Sequence, residues 1–141
     1  EDLYSRKIIG WAFGKTMDAE LAKKALKNAS LNIKKTKGII LQTDLGSQYT
    51  SNIFEEYLAE LKIRHSYSRK GCPYDNSCIE SFHSILKKEE VNLKKYKDFK
   101  EAYNAIFEFI EAWYNRERIH SCLNYKTPDE VHSEDEESFA A

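Results

Sequence analysis

The chain has 141 residues, of which 32% are charged and 41% are hydrophobic, a length and balance typical of one globular domain with a sizeable core. No apolar run approaches the roughly 20 residues that a membrane-spanning helix needs, and the start shows no signal-peptide pattern. Cys72, Cys78 and Cys122 form no CxxC pair, which disfavours a disulfide framework and a cysteine zinc site. Reduced thiols in a cytoplasmic protein are the expected state.

The net charge of −1 conceals an uneven distribution of charge. Residues 129–137 carry six acidic side chains and no Lys or Arg, so residues 1–128 have a net charge of about +5. We predict a basic folded domain over 1–128, which suits a polyanionic partner; a solvated lysine-rich surface would have the same composition. Residues 129–141 are predicted to form an acidic, disordered tail.

The first half of the chain predicts alternating strands and helices. Lys7–Phe13 is rich in Ile and aromatic residues and predicts a strand, and a helix is expected from about Asp18. A short buried strand is predicted over Ile39–Thr43 and another over Ile63–Ser66. Ser51 is placed to cap a helix between these two strands.

The second half of the chain predicts a loop and two helices. Gly and Pro make residues 67–74 a loop, and a helix follows over about Ser77–Val91. Another helix is expected from Asp98 to around 115–118, with apolar residues at core spacing. Strands and helices in this order predict an α/β layered domain.

Two acidic residues stand at positions that could carry chemistry. Asp44 follows a predicted strand, and catalytic groups of α/β sheets gather at the carboxyl ends of strands; an Asx turn before Gly46 is the alternative. Glu80 lies in the first turn of a predicted helix, where it could instead close a capping box with Ser77. Lys87 is two turns further along, about 20° from Glu80 around the helix axis. This stripe suits a metal ion beside a phosphate, or a solvated face with a weak ion pair.

Four blocks of sequence, in order, resemble the catalytic domain of bacterial insertion-sequence transposases of the retroviral-integrase (DDE) type. Residues 42–51 (QTDLGSQYTS) are similar to the family's second catalytic block, and residues 68–89 (SRKGCPYDNSCIESFHSILKKE) to its third. Residues 2–11 (DLYSRKIIGW) are similar to its second and third strands, and residues 113–131 (WYNRERIHSCLNYKTPDEV) to its C-terminal segment. The resemblance implies a ribonuclease H-like fold, three layers with a mixed sheet flanked by helices.

The resemblance also implies a reaction and a set of site residues. Asp44 and Glu80 are separated by 35 residues, the spacing characteristic of the family, and match its second and third catalytic, metal-binding carboxylates. Two Mg²⁺ or Mn²⁺ ions are then expected to assist DNA cleavage and strand transfer. Lys87 matches a DNA-contacting lysine. The weaker DNA-contact candidates are Gln48, Asn76, Arg69 and Lys70.

The implied partners are DNA, both the transposon ends and the target, and further copies of the chain in a homo-oligomer. The family's first catalytic Asp lies on a strand upstream of the segment matched by residues 2–11, so we expect the first strand, and with it one metal ligand, to be missing. An inactive remnant that binds DNA or self-associates is therefore the alternative to an active transposase core. A nuclease of the same fold fits less well because of the spacing and the C-terminal block. We expect a bacterial cytoplasmic protein that associates with the nucleoid when it acts.

Overall fold

The computed structural model describes residues 1–69 and 73–140. The chain divides into two compact units, one formed by Ile9–Ser77 and the other by Glu1–Ile8 together with the residues from Cys78 onward. The predicted domain over 1–128 thus includes parts of both units. Lys70 lies outside the described residues.

The unit Ile9–Ser77 consists of two helices and a two-stranded parallel sheet. Its helices are α1 (Ala19–Leu31) and α2 (Asn52–Leu61), and its strands are β1 (Ile40–Thr43) and β2 (Arg64–Tyr67). The strands pair in register from Ile40 opposite Arg64 to Thr43 opposite Tyr67. All four elements lie within a residue or two of their predicted positions, and both strands end at the same edge of the sheet.

Side-chain caps set the starts of both helices in this unit. Asp18 accepts a hydrogen bond from the Leu21 backbone N–H at 2.9 Å, and Ser51 accepts one from the Phe54 backbone N–H at 3.3 Å. Each bond satisfies a donor that has no partner inside its helix. Apolar side chains of the two helices and of the residue before β2 then form the buried core, which consists of Leu26, Phe54, Leu58 and Ile63.

The prediction of a strand over Lys7–Phe13 is wrong, because this segment is not part of the described sheet. Asn28 of α1 and Asn32, which caps the end of α1, donate side-chain hydrogen bonds to its backbone carbonyls at 2.9 and 2.8 Å. Gly10 allows close approach to α1, since a Cβ there would lie 2.3–2.5 Å from atoms of Ala29. Composition favours extended backbone, but a strand also needs a neighbouring strand, which a local pattern does not encode.

The other unit is helical. It contains α3 (Ser77–Glu89), which begins one residue before the division, α4 (Phe99–Glu108) and α5 (Pro128–Ala140). The start of α4 near Asp98 is as predicted, and the structure shows that Asp98 caps the helix by accepting from the Glu101 N–H at 2.8 Å. A π-helix, Phe109–Tyr114, continues α4 directly. Across the described ranges, no helix is both long enough and apolar enough to span a bilayer.

Tyr114, at the end of the π-helix, lies at the centre of the core of the helical unit. Its ring is 2% exposed and meets the Phe82 ring edge-on at a centroid distance of 4.9 Å. Burial, followed by the negative charge of Glu1, raises the pKa of the Tyr114 hydroxyl far above its ordinary value. Tyr114 is therefore a core residue of the helical unit.

The side chain of Asn115 makes both backbone hydrogen bonds of Ile8, the bonds that a neighbouring strand would make in a sheet. Its side-chain Oδ1 accepts from the Ile8 N–H at 3.0 Å, and its Nδ2 donates to the Ile8 carbonyl at 3.0 Å. Asn115 is 2% exposed and Ile8 is 4% exposed, so water does not replace these bonds. One buried amide therefore satisfies both polar groups of a buried residue.

Residues 129–140, predicted to be part of a disordered tail, belong to α5 in the structure. A capping box begins the helix, because Thr127 Oγ1 accepts from the Glu130 N–H at 3.3 Å and Glu130 Oε2 accepts from the Thr127 N–H at 2.7 Å. Lys126 forms an ion pair with Glu134 at 2.6 Å. The acidic residues in the first turn, Asp129 and Glu130, interact favourably with the helix dipole and so stabilise the helix. The acidic composition of residues 129–137 did not indicate this helix start.

Replacing Asn115 by Ala should destabilise the protein by about 2–4 kcal/mol, because two buried backbone groups lose their partner. Asn32→Ala is the matched control: it removes two exposed amide-to-carbonyl bonds, one at 2.8 Å and one at 3.5 Å, and should cost less than about 1 kcal/mol. Urea unfolding followed by circular dichroism measures both changes. Equal losses for the two variants would contradict the role assigned to Asn115.

Candidate active site

Asp44 lies at the carboxyl end of β1, as predicted, and its side chain is exposed. Its Oδ1 accepts a hydrogen bond from the Gly46 backbone N–H at 2.8 Å. The Asx turn that was the alternative reading of this residue is therefore present. One carboxylate oxygen orients the side chain through that turn, and an Asx turn is compatible with a ligand bound by the other oxygen.

Gly46 allows the side chains of Asp44 and Gln48 to approach each other. A Cβ at position 46 would lie 2.8 Å from Asp44 Oδ1 and 2.7 Å from Gln48 Nε2, and both distances are shorter than real Cβ contacts. Gln48, a predicted DNA contact, is half-buried and lies beside Asp44. Sequence reasoning gave this glycine only the role of a turn residue.

Tyr49 is a further neighbour of Asp44 that the sequence did not single out. Burial, followed by the negative charge of Asp44, raises the pKa of its hydroxyl, while a hydrogen bond with Gln48 acts in the opposite direction. Its ring meets the buried Phe54 ring edge-on at 5.4 Å. The signal available in the sequence was an aromatic residue next to Gln48 in the block that contains Asp44.

A hydrogen-bonded network of four side chains, which we call the His65 network, lies next to Asp44 in the same unit. His65 Nδ1 lies 2.6 Å from Glu55 Oε1, and His65 Nε2 lies 2.8 Å from Thr43 Oγ1. Tyr67 donates its hydroxyl to the same Glu55 oxygen. The hydrogen bond from Tyr67, and secondarily that from His65, lowers the pKa of Glu55. Sequence reasoning missed this network because its members come from three separate elements.

Another predicted DNA contact, Asn76, is hydrogen-bonded to Ser68, the residue that follows β2. Ser68 donates its hydroxyl to Asn76 Oδ1 at 2.8 Å, and its backbone N–H donates to the Thr43 carbonyl at 2.8 Å. Because the side-chain oxygen of Asn76 accepts this bond, the side-chain amino group is the part of Asn76 that can donate.

The side chain of Arg69 is 81% exposed, and its Nε lies 3.7 Å from Asp75 Oδ2. The predicted site residues of this unit therefore lie in the segments after the two strands. Asp44 and Gln48 come after β1, and Arg69 and Asn76 come after β2.

Glu80 lies in α3, in the helical unit, and is exposed. Ser77 is the first residue of α3 and follows directly on a 3₁₀ turn, Pro73–Asn76, so it does not stand before the helix as a capping residue would. Lys87 is exposed on the same face of α3, two turns after Glu80. Asp44 and Glu80 belong to different units. Within the described ranges, no three His, Cys, Asp or Glu side chains are grouped so that they could hold a metal ion.

His83 shares the exposed face of α3 with Glu80 and Lys87. Desolvation, followed by the positive charges of Lys87 and of the chain's amino terminus, lowers the pKa of its imidazole. The face thus carries Glu80, His83 and Lys87 in succession.

The opposite side of α3 is held by an ion pair. Arg118 donates to both oxygens of Glu89, with Nη2 at 2.8 Å from Oε1 and Nε at 3.0 Å from Oε2. Trp113 Nε1 also donates to Glu89, at 3.4 Å, and the pKa of Glu89 is lowered mainly by Arg118. Arg118 had no assigned role from sequence. Its two-pronged bond fixes the end of α3 that follows Lys87.

Comparison with known proteins decides which family this arrangement belongs to. Two family models match, both described as integrase core domain, one over residues 2–73 and the other over residues 61–128. The chain belongs to the integrase core domain family. The first match includes Asp44 and the second includes Glu80.

Curated relatives in this family are transposases. The chain is 41% identical over 127 residues to the transposase for insertion sequence element IS904 of Lactococcus lactis, covering 90% of this chain and 50% of that protein. It is 38% identical over 129 residues to transposase InsF for insertion sequence IS3A of Escherichia coli, covering 92% of this chain and 45% of that protein. The chain thus spans about half the length of the curated relatives it matches.

The family's fold is present as well. A solved structure of a simian T-cell lymphotropic virus intasome in complex with a PP2A regulatory subunit superposes with a TM-score of 0.63 at 21% identity, over 84% of this chain and 41% of that one. The predicted ribonuclease H-like α/β fold is confirmed by this likeness.

Replacing Lys87 by Gln should raise the pKa of His83 towards its ordinary value, because one of the nearby positive charges is removed. Desolvation remains, so the recovery should be partial. NMR titration of the His83 ring protons measures the shift. Lys88→Gln removes an equal charge from a position about 100° further around the helix and should change the His83 titration less; an equal effect from Lys88 would contradict the assignment.

Proposed function

We propose that this chain is the catalytic core of a DDE transposase that cleaves DNA at the ends of its own element and joins those ends to a target. The observation that carries the proposal is the position of Asp44: a carboxylate at the carboxyl end of a strand, inside a match to the integrase core domain. In α/β folds, functional groups gather at that edge of the sheet. Relatives named as insertion-sequence transposases support the same assignment.

Asp44 and Glu80 are proposed as metal-binding catalytic carboxylates. Both side chains are exposed, and carboxylate oxygens are the hard ligands that Mg²⁺ and Mn²⁺ prefer. Bound divalent ions would supply positive charge to the attacking and leaving oxygens of a phosphodiester. The contribution of the protein is orientation: the Gly46 N–H holds one oxygen of Asp44, and the first turn of α3 presents Glu80.

The DNA backbone is proposed to contact donors near these carboxylates. Lys87 offers an ammonium group on the face of α3 that carries Glu80, and Arg69 offers a guanidinium that is largely exposed. Gln48 and the amino group of Asn76 offer neutral donors near Asp44. Lys70 belongs to the same proposal from sequence alone. The positive net charge of residues 1–128 favours a polyanion.

Oligomeric assembly on DNA completes the proposal. The structural neighbour is an intasome, and the relatives named as transposases belong to bacterial insertion sequences. We propose that this chain acts as a homo-oligomer that holds transposon ends and target DNA. Its place of action would be the bacterial cytoplasm, in association with the nucleoid during transposition.

The test is Mn²⁺ binding and DNA nicking by the 141-residue chain and its variants. Asp44→Asn and Glu80→Gln should each weaken Mn²⁺ binding in calorimetry and Mn²⁺-dependent nicking of a supercoiled plasmid, because each removes a charged oxygen ligand. Glu60→Gln, which neutralises an exposed carboxylate on α2, should leave both unchanged.

Absence of Mn²⁺ binding by the parent chain would contradict the proposed metal site. Equal binding by the parent and both variants would exclude Asp44 and Glu80 as ligands. EDTA should abolish nicking in every active sample, and nicking that survives EDTA would identify a contaminating or metal-independent nuclease.

A further inference from the structure

The His65 network links a buried histidine to the residue that precedes Asp44. The His65 side chain is 7% exposed, and burying an imidazole is costly unless its ring nitrogens are paired. Both are paired, one with Glu55 and the other with Thr43. Since β1 and β2 are parallel, with Leu41 opposite His65, the ring reaches towards the carboxyl end of β1.

Glu55 fixes the orientation of the imidazole ring. Its pKa is lowered, chiefly by the hydrogen bond from Tyr67, so it is a carboxylate that can only accept hydrogen bonds. His65 Nδ1 must therefore carry a hydrogen and donate to Glu55, which directs Nε2 towards Thr43. Glu55 comes from α2, so the helix sets the position of a side chain between the strands.

Thr43 passes this constraint to the backbone of Asp44. Its side chain is buried, and its single hydroxyl hydrogen is donated to the Asp44 carbonyl at 2.9 Å. The Thr43 oxygen is therefore left to accept from His65 Nε2, 2.8 Å away, when that nitrogen carries a hydrogen. The Thr43 carbonyl accepts from the Ser68 N–H at 2.8 Å. The two peptide groups that flank the Asp44 Cα are therefore both held, and its carboxylate is held by the Gly46 N–H at 2.8 Å.

We propose that His65, held by Glu55 and Tyr67, is a positioning residue for Asp44 and acts through the hydroxyl of Thr43. The proposal rests on the proposed function, since the purpose of the positioning is to present the Asp44 carboxylate to a divalent ion. His65 does not itself touch the ion or the DNA. Partners that orient a metal ligand typically change metal affinity by about 10–100-fold when they are removed.

The test compares substitutions that keep shape with substitutions that keep the hydroxyl. Thr43→Val keeps the branched side chain and removes the hydroxyl, whereas Thr43→Ser keeps the hydroxyl. His65→Phe keeps a ring and removes both hydrogen bonds. We expect Thr43→Val and His65→Phe each to weaken Mn²⁺ binding by about tenfold. The double variant should bind no more weakly than either single variant, and Thr43→Ser should bind close to the parent.

A second measurement does not need a metal ion. The Gly46 amide donates to Asp44 Oδ1, so its hydrogen exchange reports whether that carboxylate is in place. We expect faster Gly46 exchange in Thr43→Val and His65→Phe by NMR. The Leu21 amide, which donates to Asp18 in the same way, should exchange at an unchanged rate.

Thr36→Val is the matched control for a purely structural effect. Its hydroxyl also donates to a backbone carbonyl, that of Leu61, at 2.7 Å, but at the other end of the strand pair. It should lower the melting temperature without changing Mn²⁺ affinity or Gly46 exchange. If Thr43→Val and His65→Phe behave like Thr36→Val in all three measurements, the network only stabilises the fold and the proposal is overturned.

The two proposals can fail separately. Loss of the metal site from the proposed function would appear as no Mn²⁺ binding by the parent, or as no effect of Asp44→Asn. In that case Gly46 exchange still decides the positioning role of His65. Unchanged Gly46 exchange in both network variants overturns that role whatever the metal result.

Discussion

The parallel pairing of β1 with β2 is the constraint on which the unit around Asp44 depends. It places Thr43 opposite Tyr67 and brings His65 beside the end of β1. Because both strands run the same way, the residues that follow them, Asp44 on one and Ser68 on the other, emerge at a single edge. The short sheet therefore does more than contribute to the core, since its register decides which polar side chains meet at that edge.

In the helical unit, the two sides of α3 have different surroundings, since one faces solvent and the other is bound by Arg118. Glu80 and Lys87 occupy a solvent-facing stripe, while Glu89, half a turn around the axis from Glu80, is bound on two oxygens by Arg118. The residues proposed to act on DNA and the residues that hold the helix thus lie on different faces of α3. The buried side of α3 is held by Phe82, which packs against Tyr114, and the end of α3 is held by the pair of Glu89 and Arg118.

Local signals in the sequence predicted those parts of the fold that local interactions determine. Ser51 was predicted as a cap, and Asp18 and Asp98 as helix starts, because a helix start is marked by a side chain that bonds within its own turn. The strand over Lys7–Phe13 was predicted wrongly because pairing is a property of two segments. The candidate site divides in the same way: Asp44 and Gln48 share one motif and were predicted from it, whereas the partners of His65 are 10 and 22 residues away, and no local pattern indicated that they would meet.

The π-helix that follows α4 has a consequence for the length of the chain. A π-helix has more residues per turn than an α-helix, so the segment Phe109–Tyr114 contains more residues than an α-helix of the same length would need. Shortening this segment by one residue could restore α-helical geometry while the buried pair Tyr114 and Asn115 keeps its place. The segment Phe109–Tyr114 is thus a place where the helical unit can lose one residue and remain helical.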